Sequence, residues 1–191
     1  HTRSHCDWSS DVCSSDLKIL HTLVAAGITH VVGLPDNTSA PLFDALFDHL
    51  WIRLVTVTRE GEAFAIASGL WLGGASPLVV IQNTGLLESG DSLRGTAARM
   101  GAPIPILVTG RGYSKMKEAG LKPSDLRERD LLTRGDVDSV ALLTEPTLEA
   151  WGVPFERCEG EDDPSTVLAR TIESALSTER PTAVVMARGL T

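Results

Sequence analysis

Pro77-Leu-Val-Val-Ile-Gln82 is a strand-length run, apolar at consecutive positions. It closes on a polar segment, Asn83–Gly90, read as a loop. A helical stretch to about Met100 follows, then a second apolar run, Ile104–Thr109. A strand with one face in water alternates apolar and polar residues; one that is apolar throughout is covered on both faces. The same signature recurs on either side. His30-Val-Val-Gly-Leu34, Ile52–Thr58, Val153–Arg157 and Thr182–Ala187 are all of strand length and mostly apolar or β-branched. Helical patterns separate them. Lys18–Ala26 stops at Gly27, and Ser39 caps a helix that carries Pro41 in its first turn and runs to about Leu50. Glu60–Leu72 is Ala-rich and closes at Gly73-Gly74. Asp136–Trp151 is helical with a kink or restart at Pro146, and Ser165–Leu176 completes the set. Gly110–Gly135 is polar and charged, a surface excursion with one short helix. This alternation predicts an α/β fold: a doubly wound parallel sheet of about six strands with helices on both faces. Ligands on such sheets bind beyond the carboxyl ends of the strands, which directs attention to the loops after Gly33, Thr58, Gln82 and Thr109.

The chain has 191 residues, room for one such domain with a proper core and little more. Its formal charge of -8 argues against a nucleic-acid partner, which needs clustered Lys and Arg. No apolar run approaches the roughly 20 residues that span a bilayer, so the expectation is a soluble, cytoplasmic protein. Residues 1–17 read differently from the rest: rich in Ser, Asp and Cys, without periodicity, and with a run, DWSSDVCSSDL (7–17), that looks like a sequencing adapter translated in one frame. They are expected to be a non-native leader, with residues 18–191 forming a single domain. Cys6 and Cys13 lie in that segment; the remaining Cys158 supports neither a disulfide framework nor a Cys-based zinc site. No metal ligand is assigned to the chain.

Among residues that could carry chemistry, Glu60 opens the Ala-rich helix directly after a strand, where the helix N-terminus favours a carboxylate. Glu62 shares the same turn, and both could be ordinary first-turn acids. Gln82, Asn83 and Thr84 follow the Pro77 strand, Pro35-Asp-Asn37 follows the first strand, and Arg111 follows the Ile104 strand. His21, His30 and His49 join no motif and read as structural or exposed. The first loop, Gly33-Leu-Pro-Asp-Asn37, lacks the G-x-G-x-x-G of a dinucleotide site.

Four segments, in order, carry a family resemblance. REGEAFAIASGLWL (59–72) resembles the glutamate helix of thiamine diphosphate enzymes, with Glu60 and Gly69-Leu70 in register and Glu62 out of it. VVGLPDN (31–37) is similar to that family's first strand and loop. IQNTGLLESGDS (81–92) resembles the loop of sulfopyruvate and phosphonopyruvate decarboxylases, its ESGDS continuation looking like the sulfopyruvate decarboxylase alpha-subunit group. ILVTGRG (106–112) is similar to the next strand with its Arg-Gly end. The resemblance spans 18–188 and implies a pyrimidine-binding (PYR) domain.

That resemblance implies thiamine diphosphate as cofactor, with Gly33, Pro35, Asp36, Glu60, Gln82, Asn83 and Thr84 around its pyrimidine half. Glu60 is then the catalytic carboxylate, hydrogen-bonded to the aminopyrimidine ring and assisting loss of the thiazolium C2 proton. Asn37, Gln82, Asn83 and Arg111 would face a small 2-oxo acid, Arg111 answering an anionic tail. The family's Gly-Asp-Gly motif with downstream Asn, which holds Mg²⁺ and the diphosphate, does not occur in this sequence. The expectation is therefore a hetero-oligomer in which a separate diphosphate-binding subunit carries the Mg²⁺, acting as a sulfopyruvate decarboxylase-like lyase. A phosphonopyruvate or other 2-oxo acid decarboxylase subunit, and a non-catalytic α/β binding or regulatory domain, stay open.

Overall fold

The computed structural model describes residues 12–47, 49–123, 125 and 129–187. Six strands form one sheet in the order β2-β1-β3-β4-β6-β5. They are β1 (His30–Gly33), β2 (Arg53–Thr56), β3 (Pro77–Gln82), β4 (Pro105–Thr109), β5 (Phe155–Cys158) and β6 (Thr182–Met186). Every neighbouring pair is parallel, as the continuous apolar runs require.

Adjacent residues of each strand serve opposite cores. Val31, Leu78, Val80, Leu107, Val184 and Met186 face helices α1 (Val12–Ala25), α2 (Ala40–Phe47) and α8 (Pro164–Thr178), meeting Ile19, Leu23, Leu42, Phe43, Leu168 and Ile172. Val32, Val79, Ile81, Ile106, Val108 and Val185 face the other layer. That layer holds α3 (Glu60–Leu72), α4 (Asn83–Glu88), α5 (Gly90–Ser92) with a π-helix over Leu93–Ala98, α6 (Tyr113–Glu118) and α7 (Ser139–Ala150). The two-residue period thus buries both faces of the central strands, and no position of β3 or β4 is polar until their last residues, Gln82 and Thr109.

The sheet order places a topological switch beside β1. The chain leaves β1 toward β2 on one side and leaves β3 toward β4 on the other, so the loops diverge and open a crevice at their carboxyl ends. Gly33 ends β1 at this point. A Cβ there would stand 1.9 Å from the Val80 carbonyl oxygen of β3, so the two strands approach as they do only because residue 33 is glycine.

The structure departs from the sequence reading in four places. Helix α1 begins at Val12 rather than Lys18, inside the segment set apart as a leader, of which residues 1–11 lie outside the described residues. The polar segment after β3 is helical from Asn83, because Asn83, Gly85 and Leu86 turn inward and are buried. Helix α7 starts at Ser139, where Asp138 caps the Val140 amide, and passes through Pro146 without ending. The excursion after β4 holds a 3₁₀ turn, Arg129–Thr133, besides the short helix α6.

Gly33→Ala should destabilise the chain by about 1–3 kcal/mol or more, since relief requires separating two paired strands. Gly69→Ala, where a Cβ meets nothing within 4 Å, should be neutral or stabilising by up to about 1 kcal/mol. Urea midpoints of the two variants check the contrast.

Candidate functional site

The helix at the centre of the candidate site starts badly by its own residues. The N-cap of α3 is Arg59, whose guanidinium donates and has no acceptor for the first-turn amides. Two carboxylates answer this, one from the helix's own first turn and one from α4. Glu62 turns back and accepts from the Thr58 amide at 3.1 Å, the Thr58 hydroxyl and the Arg59 amide at 3.3 Å. Glu88, at the end of α4, accepts from the Gly61 amide at 2.8 Å and pairs with the Arg59 guanidinium. The Thr58 amide, followed by its hydroxyl, holds the Glu62 carboxyl below its ordinary value.

Glu60 is left with neither task. Its side chain is half-buried and lies across Gly85 of α4: a Cβ at residue 85 would stand 2.2 Å from Glu60 Cγ and 2.5 Å from Oε1. Among the described residues, no donor or cation engages its carboxylate. Of Glu60, Glu62 and Glu88, two are engaged in holding the helix and one is presented.

The loops around Glu60 are braced to one another. After β1, Asp36 Oδ1 accepts from the Thr38 amide at 2.6 Å and the Ser39 amide at 3.1 Å, while Oδ2 accepts from the Thr109 hydroxyl at the end of β4. The β1 loop is thereby tied across the crevice to β4. After β3, Asn83 is fully buried. Its Nδ2 donates to the Arg111 carbonyl at 2.9 Å and to the Thr144 hydroxyl at 3.2 Å, and its Oδ1 accepts from the Arg111 amide at 3.1 Å. The Arg111 side chain is 61% exposed and pairs with Asp138 through Nε at 2.9 Å. Gln82 Oε1 accepts from the exposed Thr84 hydroxyl at 3.1 Å. Pro35 and Asn37 are exposed on the β1 loop.

The residues singled out from sequence therefore converge on one edge of the sheet, in unlike roles. Glu60, Gln82, Thr84, Pro35 and Asn37 present surface there. Asp36 and Asn83 have their polar atoms engaged by the fold, and Gly33 is a strand-packing residue. The sequence reading gave no role to Gly85, Glu88, Thr109, Asp138 or Thr144. Gly85 and Glu88 sat inside a quoted motif, but their effect depends on α4 reaching back to α3, which spacing does not reveal. A separate apolar groove of 690 Å³, lined by Thr22, Ala25, Ile172 and Leu176, lies between the ends of α1 and α8, where the chain turns into β1 and β6, at the far end of the sheet.

Residues 17–128, more than half of the chain, match the thiamine pyrophosphate enzyme, N-terminal TPP binding domain. The chain belongs to that family. Its curated relatives include a phosphonopyruvate decarboxylase of Streptomyces viridochromogenes, 36% identical over 50% of this chain and 24% of the relative. The sulfopyruvate decarboxylase subunit alpha of Methanococcus maripaludis is 22% identical over 88% of this chain and 91% of the relative. The chain thus spans about a quarter of the phosphonopyruvate decarboxylases it matches. Benzoylformate decarboxylase from Polynucleobacter necessarius has the same fold, with a TM-score of 0.66 at 19% identity over 90% of this chain and 29% of that one. So does the 4-hydroxybenzoylformate decarboxylase of Rhodococcus jostii RHA1, at 0.62 and 17% over 91% and 30%. The PYR-type α/β domain expected from sequence is the fold observed.

The Glu62 carboxyl carries a pH signature. Its folded value lies below the ordinary 4.5, so its contribution to stability is complete above 4.5 and is lost as the pH falls through the lower folded value. Glu62→Gln should therefore narrow the difference in stability between pH 6 and pH 3. Parallel denaturant titrations of both proteins at the two pH values measure it.

Proposed function

We propose that this chain supplies the pyrimidine-binding half of a thiamine diphosphate-dependent 2-oxo acid decarboxylase. The observation that carries the reading is the presented Glu60 carboxylate, seated on Gly85 and without a donor among the described residues. A half-buried carboxyl in that state fits a ligand with a basic ring nitrogen with which it can share a proton, as an aminopyrimidine ring has. When bound, the cofactor supplies the electron sink for loss of carbon dioxide. Glu60 would hold a proton at the ring nitrogen, Gln82 and Thr84 would line the same edge, and Pro35 and Asn37 would close it from the β1 loop. Asp36 and Asn83 contribute by fixing the loops. Arg111, an exposed cation whose pair with Asp138 is of the weak surface kind, would turn to an anionic substrate tail.

The α3 surface supports a partner. Ala65, Ile66, Gly69 and Leu72 are exposed along one side of the helix that Glu60 opens, Leu72 by 66%, and small residues among large ones allow close approach of another chain. The M. maripaludis relative, matched over 91% of its length, is named a subunit. A hetero-oligomer with a diphosphate- and Mg²⁺-binding chain follows from this reading, in the cytoplasm, with residues 18–191 as the functional domain. Sulfopyruvate is the first substrate to test. Phosphonopyruvate is the second, favoured by the 36% identity to a phosphonopyruvate decarboxylase.

The chain assayed alone with thiamine diphosphate, Mg²⁺ and either substrate should show no turnover; robust turnover would refute the split site. In the complex reconstituted with the diphosphate-binding subunit, Glu60→Gln should slow hydrogen–deuterium exchange at cofactor C2 by about 10²–10⁴-fold with little change in fold. Glu62→Gln should exchange as wild type. Equal exchange in all three proteins would make Glu60 a structural residue.

A further inference from the structure

We infer that Glu88 is a positioning residue for Glu60, a role that rests on the proposed function of the same site. Three observations converge on it. First, α3 has no acceptor of its own at the N-cap, since Arg59 occupies it, and the Glu88 carboxylate accepts the Gly61 amide from 27 residues away. The amide it holds belongs to the residue directly after Glu60. Second, the approach is built into both partners. A Cβ at residue 61 would stand 3.0 Å from Glu88 Oε2, and one at residue 85 would overlap Glu60. Glycine at each position lets the start of α3 and the body of α4 cross in contact, Glu60 over Gly85 and Glu88 over Gly61. Third, Glu88 sits at the last position of α4, the end of a helix where negative charge is unfavourable. Its own helix gives no reason for a carboxylate there; the α3 amide does.

Position, rather than charge, is what Glu88 supplies. The ion pair with Arg59 joins side chains that are 72% and 36% exposed, a setting where solvent screens the attraction. The bond to the Gly61 amide is different: it fixes the backbone one residue from the presented carboxylate. Because Glu60 must meet a ring nitrogen within hydrogen-bond distance, a shift of about 1 Å at this point can lower the rate by as much as about 10²-fold. Ser89 braces the same helix, its hydroxyl donating to the carbonyl of Gly85, the residue over which Glu60 lies.

The test compares Glu88→Ala, Glu88→Gln and Glu88→Asp in the reconstituted complex, reading C2 exchange of bound thiamine diphosphate. Amide hydrogen exchange at Gly61 is read in the chain alone. Glu88→Ala should speed Gly61 amide exchange and slow C2 exchange, each by about five- to tenfold or more. Glu88→Gln keeps the length and one acceptor, and should recover most of both. Glu88→Asp keeps the charge but falls short of the amide, and should resemble Ala. If Ala does not fold, Gln against Asp carries the same comparison. The role is overturned if Gly61 stays protected in Glu88→Ala, or if Asp matches wild type while Gln does not. It is also overturned alone if Glu60→Gln slows C2 exchange and Glu88→Ala leaves it unchanged. If Glu60→Gln itself exchanges as wild type, the catalytic reading of Glu60 falls, and the Gly61 amide measurement still reports on the clamp.

Discussion

A helix end with unmet amides is the constraint on which this site turns. The first turn of α3 follows an arginine, whose side chain cannot accept a hydrogen bond, so other side chains must do so. Glu62 serves the two amides before the helix and Glu88 the amide just inside it. Satisfying the backbone in this way uses two of the three acids and leaves Glu60 over Gly85. The same contacts decide where α4 lies, because Glu88 and Gly85 belong to one short helix. Through Asn83, at the other end of that helix, they also govern the turn at Arg111.

The fold was legible in the sequence because its signal is local. Continuous apolar runs such as Pro77–Gln82 announce strands buried on both faces, and every pairing found is parallel. The sequence set Glu60 apart from Glu62 through the Gly69-Leu70 register of the glutamate helix it resembles; in the structure Glu62 is engaged in capping bonds, while Glu60 is not. Other features were hidden for a physical reason. Asn83 and Asp36 look from sequence like polar residues facing a ligand. Whether a polar atom faces outward depends on what the fold sets opposite it, and here Thr109, Thr144 and the Arg111 backbone stand opposite. Residues 36 and 109, or 83 and 144, are too far apart in the chain for spacing to connect them. The helical start at Asn83 was missed for the same reason: its polar letters suggested a loop, while its burial is met by α7.

These braces also give the edge its stiffness. The loop after β1 is fastened to β4, and the loop after β3 to the turn after β4. The four loops that converge on the crevice therefore do not vary independently. A strand shift at Gly33, a lengthened β1 loop or a lost hydroxyl at Thr109 would each be felt across the crevice, although none touches Glu60. Surface loops ordinarily tolerate change; these are restrained at both ends.

One bond in that bracing has a direction. The Thr144 hydroxyl has a single proton, and it goes to the Val140 carbonyl at 2.7 Å. Toward Asn83 the oxygen can therefore only accept, which orients the buried amide with its nitrogen toward α7 and the Arg111 carbonyl, and its oxygen toward the Arg111 amide. Residue 83 must donate on one side and accept on the other. An aspartate of the same shape would set lone pair against lone pair at two contacts and carry its charge into the core. Replacing Asn83 by aspartate would thus undo the corner without altering its size, so the identity of a single atom in one buried amide sets the loop geometry.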